Sequence, residues 1–277
     1  MIHKKNRSTT KSVLFKRRNE LTRIRSEIRI PADSRLFKKI TYTPDYLPLY
    51  PLRYAITITT TPKRSLYLNQ TLKSLNLAKF PKESIVIVAD QDKYQPNLEK
   101  PTAQGYKIIY NTKKHGQMAN MHKAFSYLAT QSVDYYIYFE DDILLSLNSF
   151  LEMDRWLQDD LHKPKAMLSL SYPWGCHNVK DKSVQWIDPH FFGLMGVIFH
   201  PEIIKKYLNS KNYEKARGYG IGGDLHIGQF AHQESYPVLS RYPPLLTHVG
   251  EVSNINSSYY PTPFIGEHTD ALSIIPK

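Results

Sequence analysis

The sequence predicts an α/β fold with a mostly parallel central sheet and flanking helices. Three short segments of β-branched and aromatic residues carry strand composition: YAITITT at 54–60, IVIV at 85–88 and YYIYF at 135–139. Longer segments of helical spacing separate them, with Leu66, Leu68, Leu72, Leu75 and Leu77 in one and Met118, Met121, Phe125 and Leu128 in another. The second and third strand segments run straight into acids, Asp90 and Asp92 after one and Glu140, Asp141 and Asp142 after the other. This rhythm of strand, helix, strand, strand, helix, strand belongs to α/β domains.

In chain order, residues 1–50 read as a basic arm and connector, and 51–277 as a single domain. Within the arm, Val13, Leu14, Leu21, Ile24 and Ile28 lie among Lys and Arg at loosely helical spacing. Such a segment suits an anionic lipid surface as well as a solvated extension. Pro31, Pro44, Pro48 and Pro51 punctuate the connector. The body starts with the strand at 54–60, a loop at 61–64 and a helix over 65–77 with Ser65 as N-cap. The strand at 85–88, a short strand at 107–110 and a helix over 116–130 precede the acidic strand end. Beyond Asp142 the pattern predicts a helix over 149–161, strands at 167–171 and 191–199, and a helix over 201–208 opened by Pro201. Residues 172–190, with Trp174, His177, Trp186 and His190, read as a loop, and residues 225–231 as a further helix.

Composition narrows the function classes. Of the net charge of +12, residues 1–39 hold +10, from thirteen Lys/Arg against three acids, which leaves +2 for the remainder. The body is near neutral, so the basicity speaks for the arm and against a basic nucleic-acid groove. One cysteine, Cys176, allows neither an internal disulfide nor a cysteine-based zinc site. It favours a reducing compartment, and the expectation is a cytoplasmic protein with peripheral membrane contact through the arm. The basic N-terminal segment lacks the apolar core of a signal peptide. The apolar run FFGLMGVIF at 191–199 is too short to cross a bilayer. GxxxxGK[ST] does not occur, and no Gly-rich loop follows the first strand segment, where the chain reads TPKRS; both argue against P-loop and dinucleotide-binding enzymes.

The acids carry the chemistry. In an open parallel sheet the carboxyl ends of the strands share one edge, where ligands bind. Three adjacent carboxylates there repel one another and need a cation. A hard divalent ion with oxygen ligands meets that need and suits a phosphorylated substrate. Helix capping by Asp142 is the competing structural explanation. Asp224, after the Gly-rich YGIGG, reads either as an N-cap or as a general base at a helix start. Nothing in the neighbourhood of His248 distinguishes it from a structural histidine.

Taken in order, these segments resemble metal-dependent glycosyltransferases of the GT-A fold. ITITTTPKRSLYLNQTLKSL is similar to that fold's first strand and helix, IVIVADQD to its second strand, and YFEDD to its DXD-type metal motif. FFGLMGVIFHPEII is similar to the acceptor-side segment, GGD to the catalytic-base region, and LLTHVGEVSNI to the C-terminal His motif. EDD, then F-x-G-x-x-G, then H-x-G-x-x-S is most similar to the N-acetylglucosaminyltransferase IV group. The resemblance implies transfer of a sugar, N-acetylglucosamine in that group, from a UDP-sugar to a glycan or glycolipid hydroxyl with inversion. It implies Mn2+ or Mg2+ held by Asp142 with His248, and Asp224 as base. Thr59, Arg64, Asp90, Glu140 and Asp141 would contact the donor. A nucleotidyltransferase, a metal-dependent nuclease or nucleic-acid binder, and a sugar-binding protein without activity remain open at this point.

Overall fold

A computed structural model describes residues 37–40, 51–61, 64–90, 98–112, 116–159, 165–171, 183–186, 191, 193–219, 222–241 and 244–249. Its strands are β1 (Phe37–Ile40), β2 (Tyr54–Thr60), β3 (Ile85–Ala89), β4 (Lys107–Tyr110), β5 (Tyr135–Glu140), β6 (Ile143–Leu145), β7 (Met167–Ser169), β8 (Ser183–Trp186), β9 (Gly196–Phe199), β10 (Val238–Arg241) and β11 (Leu246–His248). Its helices are α1 (Ser65–Leu77), α2 (Glu99–Ala103), α3 (Gln117–Ala129), α4 (Ser149–Asp159), α5 (Pro201–Leu208), α6 (Lys211–Tyr219) and α7 (Gly223–Gln233).

Nine strands form one sheet in the order β1-β8-β10-β7-β9-β5-β2-β3-β4. Strands β5, β2, β3 and β4 are parallel neighbours, and seven of the nine run one way, with β8 and β9 against them. The expected mostly parallel sheet is present. Alternation along the central strands splits the core between the two faces. Tyr54, Ile56 and Ile58 of β2 and Ile137 and Phe139 of β5 face the α1 side, where Leu68, Leu72, Leu75 and Trp156 close over them. Ala55, Tyr136 and Tyr138 face the other side, with Met118, Phe125, Ile203, Tyr207 and Phe230. Burial on both faces is why these strands read as nearly continuous apolar runs. A second, two-stranded sheet pairs β6 with β11 antiparallel, Leu145 opposite Leu246 and Ile143 opposite His248.

Several expectations change. Arg64, not Ser65, is the N-cap of α1, with φ −112° and ψ 19°, and no side chain caps the helix. Ser65 already lies inside the first turn. The 191–199 run is a strand only from Gly196, because residues 194–195 turn and Gly193 has φ +153°. Phe191 and Leu194 are nonetheless buried. Strand β8 forms within the 172–190 segment and pairs with β1, which lies in the connector. The arm over Lys11–Arg29, along with Trp174, His177 and His190, falls outside the described residues.

Gly196 marks where the small sheet meets the large one. A Cβ at Gly196 would run into Leu246 Cδ2 and approach the Phe139 ring at 3.3 Å. Gly196→Ala should therefore lower stability by about 1–3 kcal/mol, the usual cost of overpacking a filled core. Urea denaturation of the variant against the native chain measures it.

Candidate functional site

The parallel register brings the acidic strand ends to one edge. Thr59 lies opposite Glu140 and Val88, and Thr60 opposite Ala89, so Thr60, Asp90 and Glu140 close the same side of the sheet. Past Glu140 the chain bends through Asp141 and Asp142 and enters β6 at once. A strand follows Asp142 rather than a helix, so helix capping does not account for it.

Thr71 of α1 holds this bend. Its hydroxyl lies 2.8 Å from both the Asp141 and the Ile143 carbonyl oxygens, and the Ile143 N–H reaches it at 3.2 Å. Ser74, one turn on, accepts from the Leu145 N–H at 3.3 Å. From the other side the Val249 N–H donates to the Asp142 carbonyl at 2.8 Å. The Glu140 N–H donates to the Met195 carbonyl at 3.0 Å, tying the acids to the turn before β9.

The side chains then converge. Asp141 accepts from Thr60 Oγ1 at 2.6 Å, and its other oxygen lies 2.8 Å from Arg64 Nε. Asp142 Oδ2 accepts from Arg64 Nη2 and lies 2.7 Å from His248 Nε2. Asp142 Oδ1 is buried and has no hydrogen-bond partner among the described residues. Gln117 Nε2 donates to Glu140 Oε1 at 3.2 Å. Glu140, Asp142 and His248 each offer one ligand atom, and these atoms lie within 4.8 Å of one another. A nitrogen and two carboxylate oxygens suit a divalent ion such as Mn2+, and an orphaned buried carboxylate oxygen is where a ligand bond would be gained.

Electrostatics follows from burial and crowding. Burial, then the charges of Asp142 and Asp224, pushes Glu140 up to about 7. Burial also lifts Asp141 to about 7, outweighing the nearby Arg64 guanidinium. For Asp142 burial works upward too, but the bond from His248 and the charges of His248 and Arg64 hold it below the usual carboxylate range. His248 is raised: burial works downward, and its bond to Asp142 with the charges of Asp142 and Glu140 wins.

Of the other residues expected at the site, Asp224 sits in the first turn of α7, close enough for its charge to act on Glu140. Gly222 is the cap of that helix, with φ +78°, so Asp224 is not the N-cap. Asp90 Oδ2 accepts from the Gly116 N–H at 2.9 Å, which joins the end of β3 to the start of α3. Thr59 Oγ1 lies 2.9 Å from the Tyr138 hydroxyl. Asp92 falls outside the described residues. Thr60, Thr71 and Gln117 went unnoticed in the sequence. A strand-end Thr one residue before the loop could have suggested Thr60, while Thr71 and Gln117 carry no local signal.

No protein-family model matches the chain, and no curated protein matches its sequence. Solved structures share its fold. The mannosyltransferase PcManGT from Pyrobaculum calidifontis, in complex with GDP-Man and Mn2+, superposes with a TM-score of 0.55 at 13% identity, over 88% of this chain and 67% of that one. S. aureus TarS 1–349 with UDP-GlcNAc gives 0.53 at 13% identity, over 76% and 62%. GalNAc-T7 with UDP, GalNAc and Mn2+ gives 0.51 at 13%, over 76% and 47%. The chain thus spans about two thirds or less of each of these structures, and at this identity the likeness establishes the fold, GT-A.

Two outcomes follow. Thr71→Val removes the clamp on the acidic bend and should cost about 1–3 kcal/mol in urea denaturation, since buried backbone groups lose their partner. The second concerns pH. Glu140 and Asp141 titrate higher in the folded chain than in the unfolded one, so the stability they contribute is complete below about pH 4 and is lost as pH rises to about 7. Without added metal the thermal midpoint should fall between about pH 4 and about 7, and fall less in Glu140→Gln; scanning calorimetry across that range reads both.

Proposed function

We propose that the protein is a metal-dependent glycosyltransferase that moves a sugar from a UDP-sugar to a hydroxyl of a glycan or glycolipid, with inversion. The observation that carries this reading is the meeting of Glu140, Asp142 and His248 at the carboxyl edge of a GT-A sheet, around a buried Asp142 oxygen that lacks a partner. The resemblance to the N-acetylglucosaminyltransferase IV group supports N-acetylglucosamine as donor sugar. Described residues of its three motif segments, which lie apart in sequence, are in contact: the Glu140 N–H bonds the Met195 carbonyl and Asp142 bonds His248. GDP-Man and Mn2+ in the PcManGT complex, and UDP, GalNAc and Mn2+ in that of GalNAc-T7, are compatible with the same donor chemistry.

Asp142, Glu140 and His248 would hold the ion, Mn2+ or Mg2+. When bound, it would supply Lewis-acid stabilisation of the negative charge that builds on a departing diphosphate. The chain's own groups do the rest. Asp90, at the end of β3, would accept from the uracil or ribose, and Thr59 would also contact the donor. Asp141, fixed by Thr60, keeps the acidic bend in register with the donor. Asp224, partly exposed at the start of α7, takes the proton of the acceptor hydroxyl as that oxygen attacks the anomeric carbon from the face opposite the diphosphate. The action of its charge on Glu140 supports this role. The basic arm at 1–39 would bring the enzyme to anionic membranes where glycolipid acceptors reside.

Release of UDP from a panel of UDP-sugars, with Mn2+ or with EDTA, tests the reading. One donor should be turned over in Mn2+ alone, and Asp142→Ala should abolish that turnover. Asp224→Asn should retain UDP binding by calorimetry and lose turnover by about 10²–10⁴-fold, the usual worth of general-base help. No metal-dependent release from any donor, and no metal-dependent UDP binding, would refute it.

A further inference from the structure

Arg64 stands among the acids that would hold an ion. Its Nε lies 2.8 Å from Asp141 Oδ1, its Nη2 bonds Asp142 Oδ2, and its side chain is only 13% exposed. We propose that Arg64 is a resident counter-cation that competes with a divalent ion for Asp141 and Asp142, so that loading the site expels the guanidinium. The proposal deepens the metal-dependent reading above and rests on it.

Three features lead there. Asp142 Oδ2 is already shared between Arg64 Nη2 and His248 Nε2, leaving Oδ1 as its one oxygen without a partner. An ion ligated by Asp142 and His248 must draw His248 Nε2 off that shared oxygen and set two positive charges beside the guanidinium. Like charges at such range in a buried site repel strongly. Second, an arginine keeps its charge at any physiological pH, so Arg64 cannot vacate the carboxylates by losing a proton. Only another cation takes its place. Third, the side chain already has a contact besides the acids. Arg64 lies at the N-cap of α1, and its guanidinium carbon is 5.1 Å from the Tyr67 ring, a perch that survives loss of the carboxylates. From there the charge is available to a diphosphate.

Calorimetric titration with Mn2+ of the native protein, Arg64→Met and Arg64→Lys tests this, with circular dichroism to verify folding. Arg64→Met should bind Mn2+ about tenfold more tightly or better, and Arg64→Lys close to the native value. In the native protein, phenylglyoxal should modify Arg64 faster in saturating Mn2+, read by peptide mass; this arm decides the matter if Arg64→Met does not fold. Equal or weaker Mn2+ binding by folded Arg64→Met, or labelling of Arg64 that Mn2+ leaves unchanged or slows, overturns the proposal while the metal reading stands. Binding by Arg64→Met but not by the native chain supports competition and sinks the metal dependence of the native enzyme instead. No binding by either removes both.

Discussion

The site depends on one electrostatic constraint: three consecutive carboxylates end a buried strand, and they cannot all be charged there without cations. Asp142 meets the constraint through Arg64 and His248 and stays ionised. Glu140 and Asp141 meet it in part by holding protons up to about 7. The result is a site whose charge is balanced by side chains and protons, the species that the proposed ion would replace.

Geometry is set by elements on either side of the acidic bend. Thr71 and Ser74 present hydroxyls from one face of α1 and bond the backbone of the bend and of β6. Strand β11 pairs with β6 and carries His248 to a carboxylate 106 residues away in sequence. Both supports are rigid secondary structure, which fixes side chains more closely than loops would. Asn120 does similar work at the neighbouring strand ends, donating to the Thr60 and Val88 carbonyls while it accepts from Asn111.

Much of this was legible in the sequence, and what was not has a physical cause. Strands β2, β3 and β5 announce themselves because burial on both faces leaves few polar residues to blur the pattern. Their parallel order then puts Asp90 and Glu140 on one edge, as expected. Strand β6 has only three residues and exists through its pairing with β11, so no local pattern could reveal it. For the same reason His248 looked ordinary: what sets it apart is the Asp142 carboxylate against it. The resemblance implies a donor contact for Arg64; no local pattern could show that the fold also sets its guanidinium against Asp141 and Asp142. Ser65 looked like a cap by residue type, but the helix starts there and Arg64 takes the cap position.

The sequence distances of the two cations from Asp142 differ in sign, and this bears on the order in which the protein assembles. Arg64 precedes Asp142 by 78 residues, inside the parallel block β2 to β5, while His248 follows it by 106 residues in the last described strand. At roughly 5–20 residues per second of synthesis, about 5–20 s separate the emergence of Asp142 from that of His248. Through that interval the nascent sheet has Arg64 already in hand to neutralise its acidic edge. The same guanidinium that is proposed to give way to an ion is thus the first cation in the chain that the acids can pair with.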